Sequence, residues 1–272
     1  MTVYPFVIHF GNFAITGYGI MMMCAFLTGG WVYAREVERA GMDAAIAWDT
    51  VVFAVLGGLA GAKLYYAALV GDLGALFSRG GLVWYGGFAG GTLTVFAYMW
   101  WKRLPYRRLL DLISAPLAAG YMIGRVGCFL VNDDYGRPTS LPWGMKFPRG
   151  SPPTTARSLE QTFHLSMPAG TPPDQLLAVH PTQLYEVALA FLIFGYLWRL
   201  REHRHAAGWL FGLYLVLTAT ARFVVELLRA KDDRFFGPIS LAQLLSLTVA
   251  LLGGWLMLAY RAPHAQPQAT PA

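Results

Sequence analysis

The sequence predicts an all-α, polytopic integral membrane protein with seven transmembrane helices and a small extramembrane head. Three observations carry this expectation. Of the 272 residues, 56% are hydrophobic and only 13% charged, where a soluble domain usually carries about 25% charged residues. Apolar runs of the length needed to cross a bilayer, about 20 residues, recur along the chain. Lysine and arginine gather in alternate short loops between those runs, the asymmetry that orients membrane proteins.

Taken in order, the apolar runs place helices at about 14–34, 48–70, 83–101, 110–131, 184–199, 209–228 and 241–260. The second span holds Gly57, Gly58 and Gly61, and the third holds Gly86, Gly87, Gly90 and Gly91. Small residues at such spacing let helices approach closely in lipid. Residues 132–184 are rich in Pro, Ser and Thr ("PRGSPPTTARS", "MPAGTPPDQ") and read as an irregular head with short helices. The C-terminal "APHAQPQATPA", 262–272, reads as a disordered tail. The expected organisation is one transmembrane domain over 1–261 followed by that tail. Residues 1–13 lack a basic n-region and a small-residue cleavage site, so no signal peptide is expected there.

One set of short loops holds Arg35 and Arg39, then Lys102, Arg103, Arg107 and Arg108, then Arg199, Arg201 and Arg204, then Arg261. The opposite set holds Arg79, then Arg229, Lys231 and Arg234 diluted by Asp232 and Asp233. The first set is expected in the cytoplasm, which puts the N-terminus and the head outside and the C-terminus inside. The net charge of +6 is thereby accounted for at membrane edges. Nucleic-acid binding is not expected, because no basic stripe with aromatics lies outside the apolar runs. The two cysteines, Cys24 and Cys128, form no CxxC or paired framework, so neither a disulfide nor a metal site is expected.

The predicted topology gathers the ionisable groups of the spans at one depth. Tyr18, Lys63, the "WYGG" stretch from Trp84, Arg125, Glu186, Arg222, Glu226 and Arg229 all fall in the outer half of the bilayer. Such groups are costly unless they face protein, water or a ligand. Arg222, Glu226 and Arg229 stand at i, i+4 and i+7, on one helix face. With Arg125 they suit a phosphate, because a guanidinium's planar fork binds oxygens in pairs. The same triplet also fits a structural ion pair, Arg222–Glu226, with Arg229 reaching to the interface. In "HPTQLYE", 180–186, Glu186 fits a helix first turn, where the dipole favours negative charge, or His180 and Tyr185 border the site. Asp133 and Asp134 fit a solvated turn, or supply a carboxylate that orients Arg125 or Arg137 or accepts a proton.

The stretch "GRVGCFLVNDDYGR", 124–137, resembles the signature of the prolipoprotein diacylglyceryl transferase family. The resemblance extends through "ITGYGIMM", "GGLVWYGGFAGG", "LPWGMKFP", "HPTQLYE", "RFVVELLR" and "GPISLAQLLSL", nearly the whole chain. It implies a seven-helix bundle of the bacterial inner membrane with a periplasmic head. The implied enzyme moves the sn-1,2-diacylglyceryl group of phosphatidylglycerol to the lipobox cysteine of a prolipoprotein, forming a thioether and releasing glycerol-1-phosphate without metal or cofactor. By position, Arg125 and Gly136 fall on signature residues, Tyr18 on the first-span tyrosine, and Arg222, Glu226 and Arg229 on the sixth-span group. The implied catalytic set is Arg125, Arg222, Tyr85 and Glu226. The implied substrate-binding set is Tyr18, Gly86, Gly87, Cys128, Asp133, Gly136, Arg137, His180 and Arg229. Three positions depart from the family pattern: Tyr85 stands for a histidine, Cys128 for an asparagine and Asp133 for a glutamate. Tyrosine has an unperturbed pKa of about 10 against about 6.5 for histidine, so Tyr85 is a poor base near neutral pH. Two other classes fit the same residues: a catalytically silent relative that binds phospholipid or lipoprotein, and a small transporter.

Overall fold

The computed structural model describes residues 1–11, 13–78, 81–168, 170–231, 234–236 and 239–261. Arg79, Asp232 and Asp233, which enter the charge argument, and the tail 262–272 lie outside the described residues. The chain is mostly helical: α1 (Gly17–Arg39), α2 (Ala45–Val70), α3 (Trp84–Trp101), α4 (Tyr106–Val131), a short α5 (Ala156–Phe163), α6 (Thr182–Leu200), α7 (Trp209–Glu226) and α8 (Leu241–Ala259). Two small antiparallel ribbons accompany them, β1 (Val7–Phe10) with β2 (Phe13–Thr16), and β3 (Arg234–Phe236) with β4 (Ile239–Ser240). By length and composition, α2, α4, α7 and α8 can each cross a membrane. The protein is therefore a helical membrane protein.

Two differences from the predicted elements have clear causes. Residues 14–16, expected to begin the first helix, pair instead as a strand, with Val7 opposite Thr16 and Ile8 opposite Ile15. The same helix runs five residues past its expected end at 34. Its charged last turn is held by i,i+3 ion pairs, Arg39–Glu36 at 2.6 Å and Arg35–Glu38 at 3.6 Å, so charge there extends the helix rather than ending it.

The chain divides into two compact units, Gly30–Ile113 and Met1–Gly29 with Ser114–Ala272. In the first unit α2 and α3 touch backbone to backbone. A Cβ added at Gly61 would run into the Gly86 carbonyl oxygen and lie 2.9 Å from the Gly90 Cα. Helices packed this closely gain dispersion contacts and hydrogen bonds such as Thr94 Oγ1 to the Phe53 carbonyl at 2.7 Å. Tyr33, Val37, Tyr98, Met99 and Leu109 form its core.

In the second unit, Ala115 and Ala118 of α4 pack with Ile193 and Leu197 of α6 and Leu210 and Leu213 of α7. Residues 132–181 fold over a separate apolar cluster of Tyr135, Phe147, Leu159, Val179 and Ala230. There the Tyr135 and Phe147 rings stack at 5.6 Å, and the Tyr135 hydroxyl donates to the Pro152 carbonyl at 2.5 Å. Short bridges, Pro138 and Met145 to Val179 and Thr155 to Leu176, replace regular strands in this segment. Prolines such as Pro138, Pro152 and Pro153 each remove a donor from this segment.

Candidate active site

The second unit brings four helix ends together, and each contributes charge or a cap. α4 delivers Arg125 near its C-terminal end. The helix stops at Asn132, whose left-handed φ of 61° is a common helix-ending conformation for asparagine. Asn132 is fully buried, and its Nδ2 donates to the Val3 carbonyl at 3.0 Å. Asp134 also has positive φ, 58°, which short polar side chains tolerate.

The first turn of α6 holds this tight turn in place. Thr182 Oγ1 donates to the Asp134 carbonyl at 2.7 Å, and Gln183 Nε2 donates to the Asp133 carbonyl. Both side chains are fully buried. One turn further along α6, Glu186 points at the arginines. The "HPTQLYE" motif thus uses Thr182 and Gln183 to set the backbone and Glu186 to set the charge.

The end of α7 supplies Arg222 and Glu226, and Arg229 follows directly. Residues 135–137 run antiparallel to 228–230. Arg137 N donates to the Leu228 carbonyl at 2.8 Å, Ala230 N to the Tyr135 carbonyl at 3.3 Å, and Gly136 bridges Arg229. Gly136 is required by this approach. A Cβ there would lie 2.5 Å from the Leu228 oxygen, 2.7 Å from His180 Cβ and 2.9 Å from Thr182 Cγ2. Ser240 caps α8 through a reciprocal capping box with Gln243 and also reaches Glu226 Oε1 at 3.4 Å.

The charged side chains close into a circuit of alternating sign. Arg125 contacts Glu186 through Nη2 and Asp134 through Nη1 at 3.0 Å. Glu186 continues to Arg222 at 3.3 Å, and Arg222 to Glu226 at 2.7 Å. Glu226 lies 3.6 Å from Arg229 Nε, and Arg229 Nη2 returns to Asp134 at 2.5 Å. Three guanidiniums and three carboxylates therefore alternate around one ring. Tyr121 of α4 adds a hydroxyl donor to Glu186 at 2.8 Å. Arg125, Arg229, Glu186 and Glu226 are buried, whereas the side chains of Arg222 and Asp134 keep 27% and 39% of their exposure. Those two form the open edge of the ring.

Asp133 and Asp134 differ in their partners although they are adjacent. The two neighbouring guanidiniums hold the Asp134 carboxyl down at about 2, against the opposing effect of burial. Asp133 and Cys128 bring a carboxylate oxygen and Sγ within 4.8 Å of each other, and Asp133 Oδ1 has no hydrogen-bond partner among the described residues. Burial and the adjacent Asp134 charge push its carboxyl up to about 6. The acid that orients Arg125 is thus Asp134 rather than Asp133. Cys128, Asp133 and Asp134 offer ligand atoms within 4.8 Å of one another. Arg125 already contacts both Cys128 Sγ, at 3.4 Å, and Asp134, so positive charge is already supplied to this corner.

The other expected site residues have definite places. Tyr18 is half exposed and lies against Gly127 of α4, where a Cβ would meet its Cα at 3.3 Å. Arg137 Nε donates to the Arg229 carbonyl at 3.2 Å. His180 serves the ring through its backbone, its oxygen accepting from Gly136 N at 2.8 Å. Its imidazole Nδ1 pairs with the Tyr185 hydroxyl at 3.1 Å, which also accepts from Trp143 Nε1 at 2.8 Å. Burial lowers the His180 pKa. Tyr85, Gly86 and Gly87 belong to the first unit. Gly86 is buried against α2, Gly87 faces the Gly58 carbonyl, and the Tyr85 ring is 44% exposed and edge-on to Trp84. Lys63, grouped with the arginines by depth, donates to the Ser78 carbonyl at 2.5 Å in that unit.

Sequence reasoning underweighted Glu186 and did not single out Tyr121. The signal for Glu186 was present: an acid in an apolar helix is costly without a cation, and the helix-dipole explanation absorbed it.

Comparison with known proteins adds an independent line. The family model for prolipoprotein diacylglyceryl transferase matches residues 5–259. A protein of Burkholderia pseudomallei (strain 668) is 31% identical, covering 94% of this chain and 95% of its own length. A protein of Nitratidesulfovibrio vulgaris (Hildenborough) is 29% identical over 93% of each chain, and one of Trichormus variabilis is 29% identical over 92% of this chain and 86% of its own. All three are named phosphatidylglycerol–prolipoprotein diacylglyceryl transferase.

Proposed function

The chain belongs to the prolipoprotein diacylglyceryl transferase family, and from that premise we propose that the arginine–carboxylate ring is where it transfers a diacylglyceryl group from phosphatidylglycerol to a prolipoprotein cysteine. The observation that carries the assignment is the convergence of Arg125, Arg222 and Arg229 in one partly open cluster. A structural ion pair needs two charges, and six closed into a circuit with an open edge fit an anion-handling site better.

In the reaction, the substrate thiolate sulfur attacks the glyceryl carbon that carries the phosphate ester. A carbon–sulfur bond forms, the carbon–oxygen bond breaks, and its electron pair leaves on the phosphate oxygen of glycerol-1-phosphate. Negative charge therefore grows on the departing phosphate, where guanidiniums stabilise the transition state more than the ground state. Arg125 and Arg222 fill that role, and Arg229 completes the cradle. The same cations favour ionisation of the incoming thiol, whose unperturbed pKa is about 8.5. Glu186 and Glu226 keep the guanidiniums oriented, as their contacts to Tyr121 and Ser240 keep them oriented in turn.

Seven spans, with the 132–184 segment and the N-terminus on the outer face of the inner membrane, is the arrangement that suits this chemistry. The site then opens to the outer leaflet, where both the lipid and an exported prolipoprotein are reached. The loop distribution of Lys and Arg supports it.

The test is lipidation of a lipobox peptide by purified protein in phosphatidylglycerol micelles. Arg125→Ala and Arg222→Ala are each expected to remove most of the transfer while the protein still inserts. Full activity in both variants would refute the assignment.

A further inference from the structure

The ring poses an electrostatic problem for its own substrate. Its three arginines are matched by Glu186, Glu226 and Asp134, and Asp133 stands beside it. Each of the three ring arginines is already paired with two of these carboxylates. For a lipid phosphate to pair with two of these guanidiniums, a carboxylate has to leave them.

The three acids are not equally able to leave. The Glu186 and Glu226 side chains are each 3% exposed. Each also has an anchor besides the arginines, Tyr121 for Glu186 and Ser240 for Glu226. Asp134 is 39% exposed. Among the described residues its carboxylate is hydrogen-bonded by Arg125 Nη1 and Arg229 Nη2 alone, one oxygen to each. The backbone behind it is fixed, since Thr182 Oγ1 holds its carbonyl and its φ is 58°. The side chain is thus a short arm on a rigid mount, and it can turn outward without disturbing the turn.

We infer that the Asp134 carboxylate is a built-in stand-in for the lipid phosphate, bridging Arg125 and Arg229 until a phosphodiester takes both guanidiniums. Two oxygens on one centre, one to each cation, is the pattern a phosphodiester reproduces with its non-bridging pair. The stand-in keeps the three cations of the ring matched by three acids between turnovers, since excess buried charge is costly. It also lowers apparent affinity for any anion that fails to displace it. Asp134 is a positioning residue in this scheme, because it acts through Arg125 and Arg229. The inference rests on the proposed function and adds a regulatory element to the same site.

An internal competitor that occupies the site most of the time weakens apparent binding by the fraction of time the site is free. Removing its charge is expected to lower the KM for phosphatidylglycerol at least about 10-fold. The experiment measures transfer to a lipobox peptide by the purified full-length protein in micelles of graded phosphatidylglycerol content. It compares the native protein with Asp134→Asn, Asp134→Ala, Asp134→Glu and Arg125→Ala. A lower KM in the two neutral variants, with Asp134→Glu near the native value, supports the inference. A KM that rises or holds in the neutral variants overturns it, as does failure of both to fold, since either makes Asp134 a structural counterion. Those results leave the proposed function standing as long as Arg125→Ala is inactive. Full activity in Arg125→Ala would instead remove the proposed function, and this inference with it.

Discussion

Glu186→Gln is the most informative single change outside the arginines. The glutamate is buried and serves Arg125, Arg222 and Tyr121 at once. Glutamine keeps the shape and one acceptor oxygen but removes the charge shared by two guanidiniums. Removing one partner of a buried ion pair costs roughly 3–5 kcal/mol, chiefly because the other charge stays buried and uncompensated. For a chain of this size that lowers the thermal midpoint by on the order of 10 °C. The effect on catalysis should be separate. With Arg125 and Arg222 no longer pulled toward a common anchor, a displacement near 1 Å in the cradle costs about 10²-fold in turnover. The assay pairs thermal unfolding in detergent with transfer kinetics below the melting range of the variant. If both the midpoint and kcat match the native protein, Glu186 neither stabilises nor orients the ring and the reasoning fails. A lowered midpoint with native kcat would confine it to structure.

Three further predictions rest on the same geometry. Asp133, with its carboxyl raised to about 6, is neutral below that pH and charged above it, so the KM for the anionic lipid should climb as pH rises through 6 and lose this dependence in Asp133→Asn. For stability the two neighbours act oppositely: ionising Asp133 weakens the fold as pH rises from about 4 to 6, and protonating Asp134 weakens it as pH falls from about 4 to 2. Gly136→Ala puts a methyl 2.5 Å from the Leu228 oxygen. Overpacking of this kind costs about 1–3 kcal/mol. Because the strand that must yield carries Arg229, kcat should fall further than the midpoint, as transfer and unfolding measured side by side would show.

Much of the fold was legible because apolar runs and helix length are set by the bilayer. The ends of α2, α3, α4, α6, α7 and α8 fall within four residues of where the sequence places them. The β1–β2 ribbon was missed although its signal is local, a Gly-Asn pair between two short apolar segments; the length of the neighbouring apolar run dominated. At the site, helical spacing placed Arg222 and Glu226 together on α7, whereas Arg229, expected on the same helix face, lies past the end of α7 and reaches the ring from its bridge with Gly136. The remaining partners could not be read this way. Arg125 and Glu186 are 61 positions apart, and no periodicity links residues on different helices. The choice between Asp133 and Asp134 turns on two left-handed backbone positions, Asn132 and Asp134, and sequence pattern does not say which of two adjacent acids such a turn aims inward.

The order of the ring along the chain bears on how the protein is made. Arg125 emerges during synthesis with Asp134 only nine residues behind it, so the first cation of the ring brings a companion of opposite sign. α6 then arrives with the lone negative charge of Glu186 among its buried residues, and the α7 end arrives with two positive charges and one negative. Neither of these later segments is neutral by itself, and each is the complement of the other's surplus. Mutual attraction therefore draws α7 against α6, and the last salt links close only when the seventh helix in the order has been laid down beside the fourth.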